Sequence, residues 1–256
     1  MRTDPVGSIA AYYLSLMSAS RSSHQFEGVI LSNRPGAGSD SYVDIFSPEF
    51  GMVGVVAKGG RASKKRFAGG LDIGTFGEFV AEDSGKLLWR LDSMTVLFQP
   101  LALRGDLDWL AALTLMVESV HVTTAAGQPE PQLYHKLRDA IVFLDSGAIE
   151  KASTIWRDIL VHGGLMTGNS ACESCESGAQ SHASFAPPKL VCSACSLPRM
   201  VELPLLWHRS EDSKPRLSDQ ALREAFLSLE RFFAKWFERT SGTQLKSARL
   251  LSKLGE

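Results

Sequence analysis

Short runs of Val, Ile, Leu and Phe broken by turn clusters fill residues 25–98, and from residue 106 the apolar positions recur every three or four residues. The first stretch predicts strands at Phe26–Leu31, Tyr42–Phe46, Met52–Ala57, Phe76–Ala81 and Leu87–Phe98. Asn33-Arg34-Pro35-Gly36, Ser47-Pro48, Gly59-Gly60 and Asp83-Ser84-Gly85 separate them. The second stretch predicts helices. Asp106 is placed to cap one that carries Leu107, Leu110, Leu113, Met116, Val117 and Val120 on its apolar face. Pro131 fits the first turn of a second, with Leu133, Leu137, Ile141 and Leu144 on one side. A third runs through Ile149, Ile155, Ile159 and Leu160 and stops at Gly163-Gly164. Ser218 caps a fourth, on which Leu222, Phe226, Leu229, Phe233, Trp236 and Phe237 recur at helical spacing.

Five short strands within about 75 residues favour a small closed barrel over an open sheet with exposed edges. An OB-fold barrel is the most economical candidate, and an SH3-like barrel gives a similar pattern. The expected class is α+β: a five-stranded OB-fold barrel, then a helical bundle interrupted by a cysteine-bearing loop. The expected division is an extension over 1–24, the barrel over 25–100, a helical domain over 101–168 and 199–256, and a metal-binding insertion over 169–198.

The cysteines change the picture most. All four fall in one segment, as Cys172-Glu-Ser-Cys175 and, after sixteen intervening residues, Cys192-Ser-Ala-Cys195. Two residues between thiolates let one turn present both sulfurs to one ion, and two such turns complete a tetrahedron, the spacing of a structural zinc ribbon. Four thiolates leave no open position for water, so one Zn2+ here lends folding energy to a loop with almost no core of its own. Redox-active pairs are the alternative. His162 and His182 flank the cluster and read as solvent-exposed. No His-x-Glu element, His-Glu-x-x-His, phosphate-binding glycine loop or Gly-x-Ser-x-Gly occurs. No catalytic residue is expected.

Charge bears on partners. The 256 residues carry a formal net charge of −1, so nucleic-acid binding requires a local patch. One exists in the sequence. Between the third and fourth predicted strands, Lys58, Arg61, Lys64, Lys65 and Arg66 bring five positive charges into nine residues with no acid among them. Glycines there let backbone approach a phosphate, and the cations displace condensed counterions. Three to five phosphate contacts give a slope of log K on log salt of roughly −2 to −4.5. Phe67, Phe76, Phe79 and Trp89 are candidate stacking surfaces. The apolar run Ile9–Met17 is too short to span a bilayer and makes a weak signal peptide. The default expectation is a cytoplasmic protein with no membrane partner.

Several stretches, in order, resemble the RecO family of DNA-repair proteins. They are the barrel opening Gly28-Val-Ile-Leu31, Ser39-Asp40, the turn Ser47-Pro-Glu-Phe-Gly51 and Ala57-Lys58-Gly59-Gly60-Arg61. The helical middle, the four-cysteine loop and Leu245-Lys246-Ser247-Ala-Arg249-Leu-Leu251 follow. The resemblance spans roughly residues 25–252. It implies a recombination mediator in a bacterial cytoplasm, close to the nucleoid. Such a mediator binds single- and double-stranded DNA, anneals complementary strands, and works with RecR to load recombinase onto DNA coated by single-strand-binding protein. It docks that protein's C-terminal tail on its helical domain. The resemblance places Lys58, Arg61 and their neighbouring cations on DNA and adds Lys246 and Arg249 to the basic surface. The chain departs from the family at Gly38, where an acid is common, and at Pro187-Pro188 through Val191, where a glycine pair often precedes the third cysteine. An adaptor that binds only proteins through a zinc-braced barrel is the competing reading, and a metal-dependent nucleic-acid hydrolase a third.

Overall fold

The computed structural model describes residues 22–63, 65–67, 70–207, 217–242 and 245–247. Five strands form the N-terminal part: β1 (Ser22–Pro35), β2 (Ser41–Ser47), β3 (Gly51–Ala57), β4 (Phe76–Asp83) and β5 (Trp89–Phe98). They close into a barrel of order β1-β2-β3-β5-β4. The 14-residue β1 makes closure possible by serving two partners. Its first half pairs with β4 and its second with β2, and a register shift between Ile30 and Ser32 bends it from one to the other. Every pairing is antiparallel except β3 with β5. This is the OB-fold order, and the SH3-like alternative falls. Ile30, Val43, Ile45, Val55, Phe79 and Leu91 fill the interior with no exposed surface, each contributing about 1.5–3 kcal/mol by burial.

Two boundaries differ from expectation. Strand β1 starts at Ser22, inside the stretch expected to be an extension, because Ser22 to His24 pair with Asp83 to Ala81. Strand β5 starts at Trp89, leaving Leu87 in the preceding turn at 95% exposure.

Four helices follow among the described residues: α1 (Leu107–Thr123), α2 (Pro131–Asp145), α3 (Ile149–His162) and α4 (Asp219–Ser241). Their starts follow the sequence signals. The Asp106 carboxylate accepts the Asp108 amide at 3.0 Å, Pro131 opens α2, and the Ser218 hydroxyl accepts the Ala221 amide at 3.3 Å. Arg223 of α4 reaches back to Asp106 at 2.5 and 2.7 Å and to Asp108 at 2.5 Å, so the last helix is tied to the cap of the first. Trp156, Phe226, Phe233 and Phe237 form the aromatic centre of the bundle. Phe46 of β2 leaves the barrel interior and meets Tyr134 of α2 at 6.1 Å, joining the two cores.

The predicted face of α1 is only partly correct. Leu113, Met116, Val117 and Val120 are buried, but so are Ala111, Ala112 and Leu115, whereas Leu107 is 67% exposed and Leu110 is exposed. Helix α1 packs against β1 and all three other helices. Burial on several sides widens the apolar arc, and an end residue such as Leu107 then lies outside it. Glu230 of α4 was not anticipated either: it has no exposed surface, and among the described residues neither carboxylate oxygen has a partner.

The cysteine segment also holds more structure than foreseen. Strands β6 (His182–Phe185), β7 (Pro188–Val191) and β8 (Val201–Glu202) form a sheet of order β7-β6-β8. Strand β8 carries this module past residue 198 to Glu202. Ala183 and Leu190 enter the bundle core, and Phe185 packs on Phe232 and Trp236 of α4 at 5.6 and 6.1 Å.

Candidate nucleic-acid interface and metal centre

The basic loop leaves β3 at Ala57 and meets the β1–β2 turn. Lys58 Nζ lies 2.7 Å from Asp40 Oδ2, and the Gly59 amide donates to Asp40 Oδ1 at 2.8 Å. The hydrogen bond from Lys58 holds the Asp40 carboxyl below its usual range and raises the Lys58 ammonium. Arg61 donates to the Gly38 carbonyl and Arg66 to the Lys58 carbonyl, so both guanidinium groups are positioned by neutral backbone oxygens. The Arg66 guanidinium also sits 4.9 Å over the Phe67 ring, and Phe67, 1% exposed, pins the loop into the barrel. Arg61, Lys65 and Arg66 are exposed. Among the described residues no carboxylate lies within ion-pairing distance of these three. Lys64 lies outside the described residues. The loop thus presents charge held by the backbone.

The stacking candidates need correction. Phe67, Phe76 and Phe79 are buried, because the barrel and its junction with the helices need them as core. Trp89 is half-buried, its ring 5.0 Å from His24 and 5.4 Å from Phe50. Lys246 is exposed and held by α1: its amide and the Ser247 amide and hydroxyl donate to the Glu118 carboxylate at 2.9, 2.8 and 2.6 Å. Arg249 lies outside the described residues.

The four cysteines converge as their spacing required. Their sulfurs all lie within 4.8 Å of one another, and Cys175 Sγ is 3.8 Å from Cys192 Sγ. Around a tetrahedral ion with bonds of about 2.3 Å, sulfurs sit about 3.8 Å apart. The Cys172 turn is closed by the Glu176 amide donating to the Cys172 carbonyl at 2.9 Å, and the Cys192 turn by the Cys195 amide donating to the Cys192 carbonyl at 3.1 Å. Burial opposes a Cys172 thiolate, but the amides of Cys192, Cys175 and Ser174 outweigh it and lower the thiol. The Ser177 hydroxyl, followed by the Ser177 and Gly178 amides, lowers Cys175 to about 5. Crowding by the Cys192 and Cys175 sulfurs pushes Cys195 up to about 12. Four thiols converging within reach of one another make a donor set suited to a thiophilic cation. These residues could hold a metal ion. Gly178 makes room for it: a Cβ there would lie 2.7 Å from the Cys192 Cβ. His162 is exposed and engages Glu130 at 2.9 Å. His182, expected in solvent, is half-buried in β6, because pairing with both β7 and β8 encloses it.

Residues 17–99 match the family model for the recombination protein O N terminal. The match covers the whole barrel. The barrel is similar to the RecO N-terminal domain. It begins before the expected family boundary, which left the first 24 residues without a counterpart. Proteins named DNA repair protein RecO match beyond the barrel. That of Anaeromyxobacter sp. is 34% identical over 151 residues, 58% of this chain and 59% of the relative. That of Syntrophobacter fumaroxidans is 32% identical over 115 residues, 45% and 46%. That of Alkaliphilus metalliredigens is 26% identical over 175 residues, 66% and 70%. The chain therefore spans about half the length of the first two. Within the RecO-type barrel, sequence reasoning missed the outward residues of β1, β2 and β5, whose signal exists only once strands are paired. Among the described residues no helix is long and apolar enough to cross a membrane.

Proposed function

We propose that this protein is a DNA-binding recombination mediator of DNA repair, working in the cytoplasm near the nucleoid and turning over no substrate. The observation that carries it is a barrel matching the RecO N-terminal family model, whose loop holds Arg61 and Arg66 on backbone oxygens and leaves both, with Lys65, in solvent. Residues 25–100 grip DNA, with Lys58, Arg61, Lys64, Lys65 and Arg66 on phosphates and Lys246 and Arg249 extending the basic surface. The helical domain is built from residues 101–168 and α4, with the four-cysteine module, which runs to Glu202, inserted between them. The ion at Cys172, Cys175, Cys192 and Cys195 is zinc, supplying folding energy to that insertion. Annealing complementary strands, cooperating with RecR and docking the tail of single-strand-binding protein complete the role.

The test combines two measurements. Replacing Lys64, Lys65 and Arg66 with Glu should weaken binding to labelled single strands at low salt and flatten the salt dependence by roughly one unit of log slope per lost phosphate contact. Annealing of complementary strands coated by single-strand-binding protein should be accelerated by the native chain and not by the variant. Unchanged affinity and annealing would favour an adaptor that binds proteins alone.

A further inference from the structure

The pairing register brings together four side chains that are far apart in sequence. Arg34 of β1 lies opposite Tyr42 of β2, Tyr42 opposite Val56 of β3, and Val56 opposite Arg90 of β5. Directly paired residues share a face. The alternation of burial puts that face outside, since Val43, Val55, Ala57 and Leu91, next in sequence, are all fully buried. The row therefore reads Arg-Tyr-Val-Arg across four strands. At about 4.8 Å per strand it is about 14 Å long, room for roughly two to four nucleotides.

Lower on the same face the surface is occupied. Asp44, two residues from Tyr42, is bonded to His121 of α1 at 3.1 Å, and Phe46 is buried against Tyr134. The helices stop short of Tyr42, which stays 37% exposed. One edge of its ring lies close to the β1–β2 turn. A Cβ on Gly36 of the β1–β2 turn would lie 3.1 Å from Tyr42 Cε2, so the ring edge rests against that turn. Tyr42 adjoins the basic loop: its pairing partner Val56 stands two residues before Lys58, and Asp40, which binds Lys58, stands two residues before Tyr42. Arg34 is paired with Asp44 at 3.1 Å, and Arg90 with both Glu82 at 2.5 Å and Asp92 at 3.1 Å. Both arginine side chains remain more than half exposed, and each guanidinium carries five N–H donors, which leaves donors to meet a phosphate beside its carboxylate partners.

We propose that this row is a stacking subsite for an unpaired nucleic-acid strand, with one base lying on Tyr42 and the flanking phosphates meeting Arg34 and Arg90. It rests on the DNA-binding role above and adds a preference for single strands, because the bases of a duplex are stacked on each other and offer Tyr42 no free face. Tyr42 supplies the part of affinity that is independent of salt, and the loop supplies the salt-dependent part.

The experiment compares the native chain, Tyr42→Ala, Tyr42→Phe and Lys65→Glu/Arg66→Glu by fluorescence anisotropy. The probes are a labelled oligothymidylate, an abasic oligomer of the same length, and a duplex, each over a salt series, with thermal melting as a folding control. Tyr42→Ala should lose about 5- to 100-fold in affinity for oligothymidylate. Its salt slope should be unchanged, with little loss on the abasic strand or the duplex, and Tyr42→Phe should bind as the native chain does. Native protein should itself prefer oligothymidylate to the abasic strand. Equal losses on all three probes, or no loss on oligothymidylate while the loop variant is weakened, would overturn the subsite and leave the wider role standing. A loop variant that binds normally while Tyr42→Ala fails would keep the subsite and overturn the loop as the phosphate contact.

Discussion

Glu230 offers the most direct check on the energetics of the helical domain. It sits on α4 between Leu229 and Phe233 with no exposed surface and, among the described residues, no hydrogen-bond partner. Burial pushes its carboxyl from the ordinary 4.5 up to about 8; the negative charge of Asp108 adds to the rise and Arg231 opposes it. Between those two values the folded carboxyl keeps a proton that the unfolded chain has released. Stability is therefore highest below pH 4.5 as far as this group is concerned, and falls as pH rises through the window to 8. With about 1.4 kcal/mol per pH unit, titration from pH 5 to pH 8 removes about 3 kcal/mol. Glu230→Gln abolishes the titration. Urea unfolding of both proteins at pH 5, 6.5 and 8 provides the assay, and the quantity of interest is the difference between them. Every other ionisable group is common to the two proteins and cancels in that difference. The native chain should lose about 3 kcal/mol relative to the variant across the range. Parallel pH profiles would refute a neutral buried carboxyl and place water or an unseen partner beside it.

Other substitutions probe the rest of the framework. Cys172→Ser, or removal of metal by chelation, should free the β6–β7–β8 module from α4, and the indole of Trp236, which packs on Phe185 at 6.1 Å, should report it as a shift in tryptophan fluorescence. Gly51→Ala should cost more than 1 kcal/mol in thermal or urea unfolding, since φ there is +67° and a Cβ would collide with the Gln128 carbonyl at 2.1 Å. Asp106→Ala removes both the α1 cap and one partner of Arg223, for an expected loss of about 1–2 kcal/mol in the same measurement. DNA affinity of Asp106→Ala measured below its melting range should match the native chain, because the barrel loop is untouched.

The parts of this protein legible from sequence are those governed by neighbours along the chain. Helix starts at Asp106, Pro131 and Ser218 follow from capping chemistry that acts within three residues. The four-cysteine cluster follows from two Cys-x-x-Cys turns, each closed by its own backbone hydrogen bond. The strands of the barrel follow from apolar runs and turn residues, and the loop cations from a charge count.

Tertiary structure decided what depends on elements meeting. Which side of α1 faces solvent was hidden because its apolar residues are spread widely, and only packing against β1 and three helices sets the phase. The β6–β7–β8 sheet was hidden because strands of four, four and two residues carry too little periodicity to stand out. Glu230 looks from sequence like any polar helix residue, and burial alone makes it a titrating group. Arg34, Tyr42, Val56 and Arg90 span 57 positions of chain, and only strand register sets them in one row. Local chemistry fixes where elements begin and which ligands can share an ion. Contacts across the chain fix which side chains face water together, because facing is a property of pairs of elements and not of either one alone.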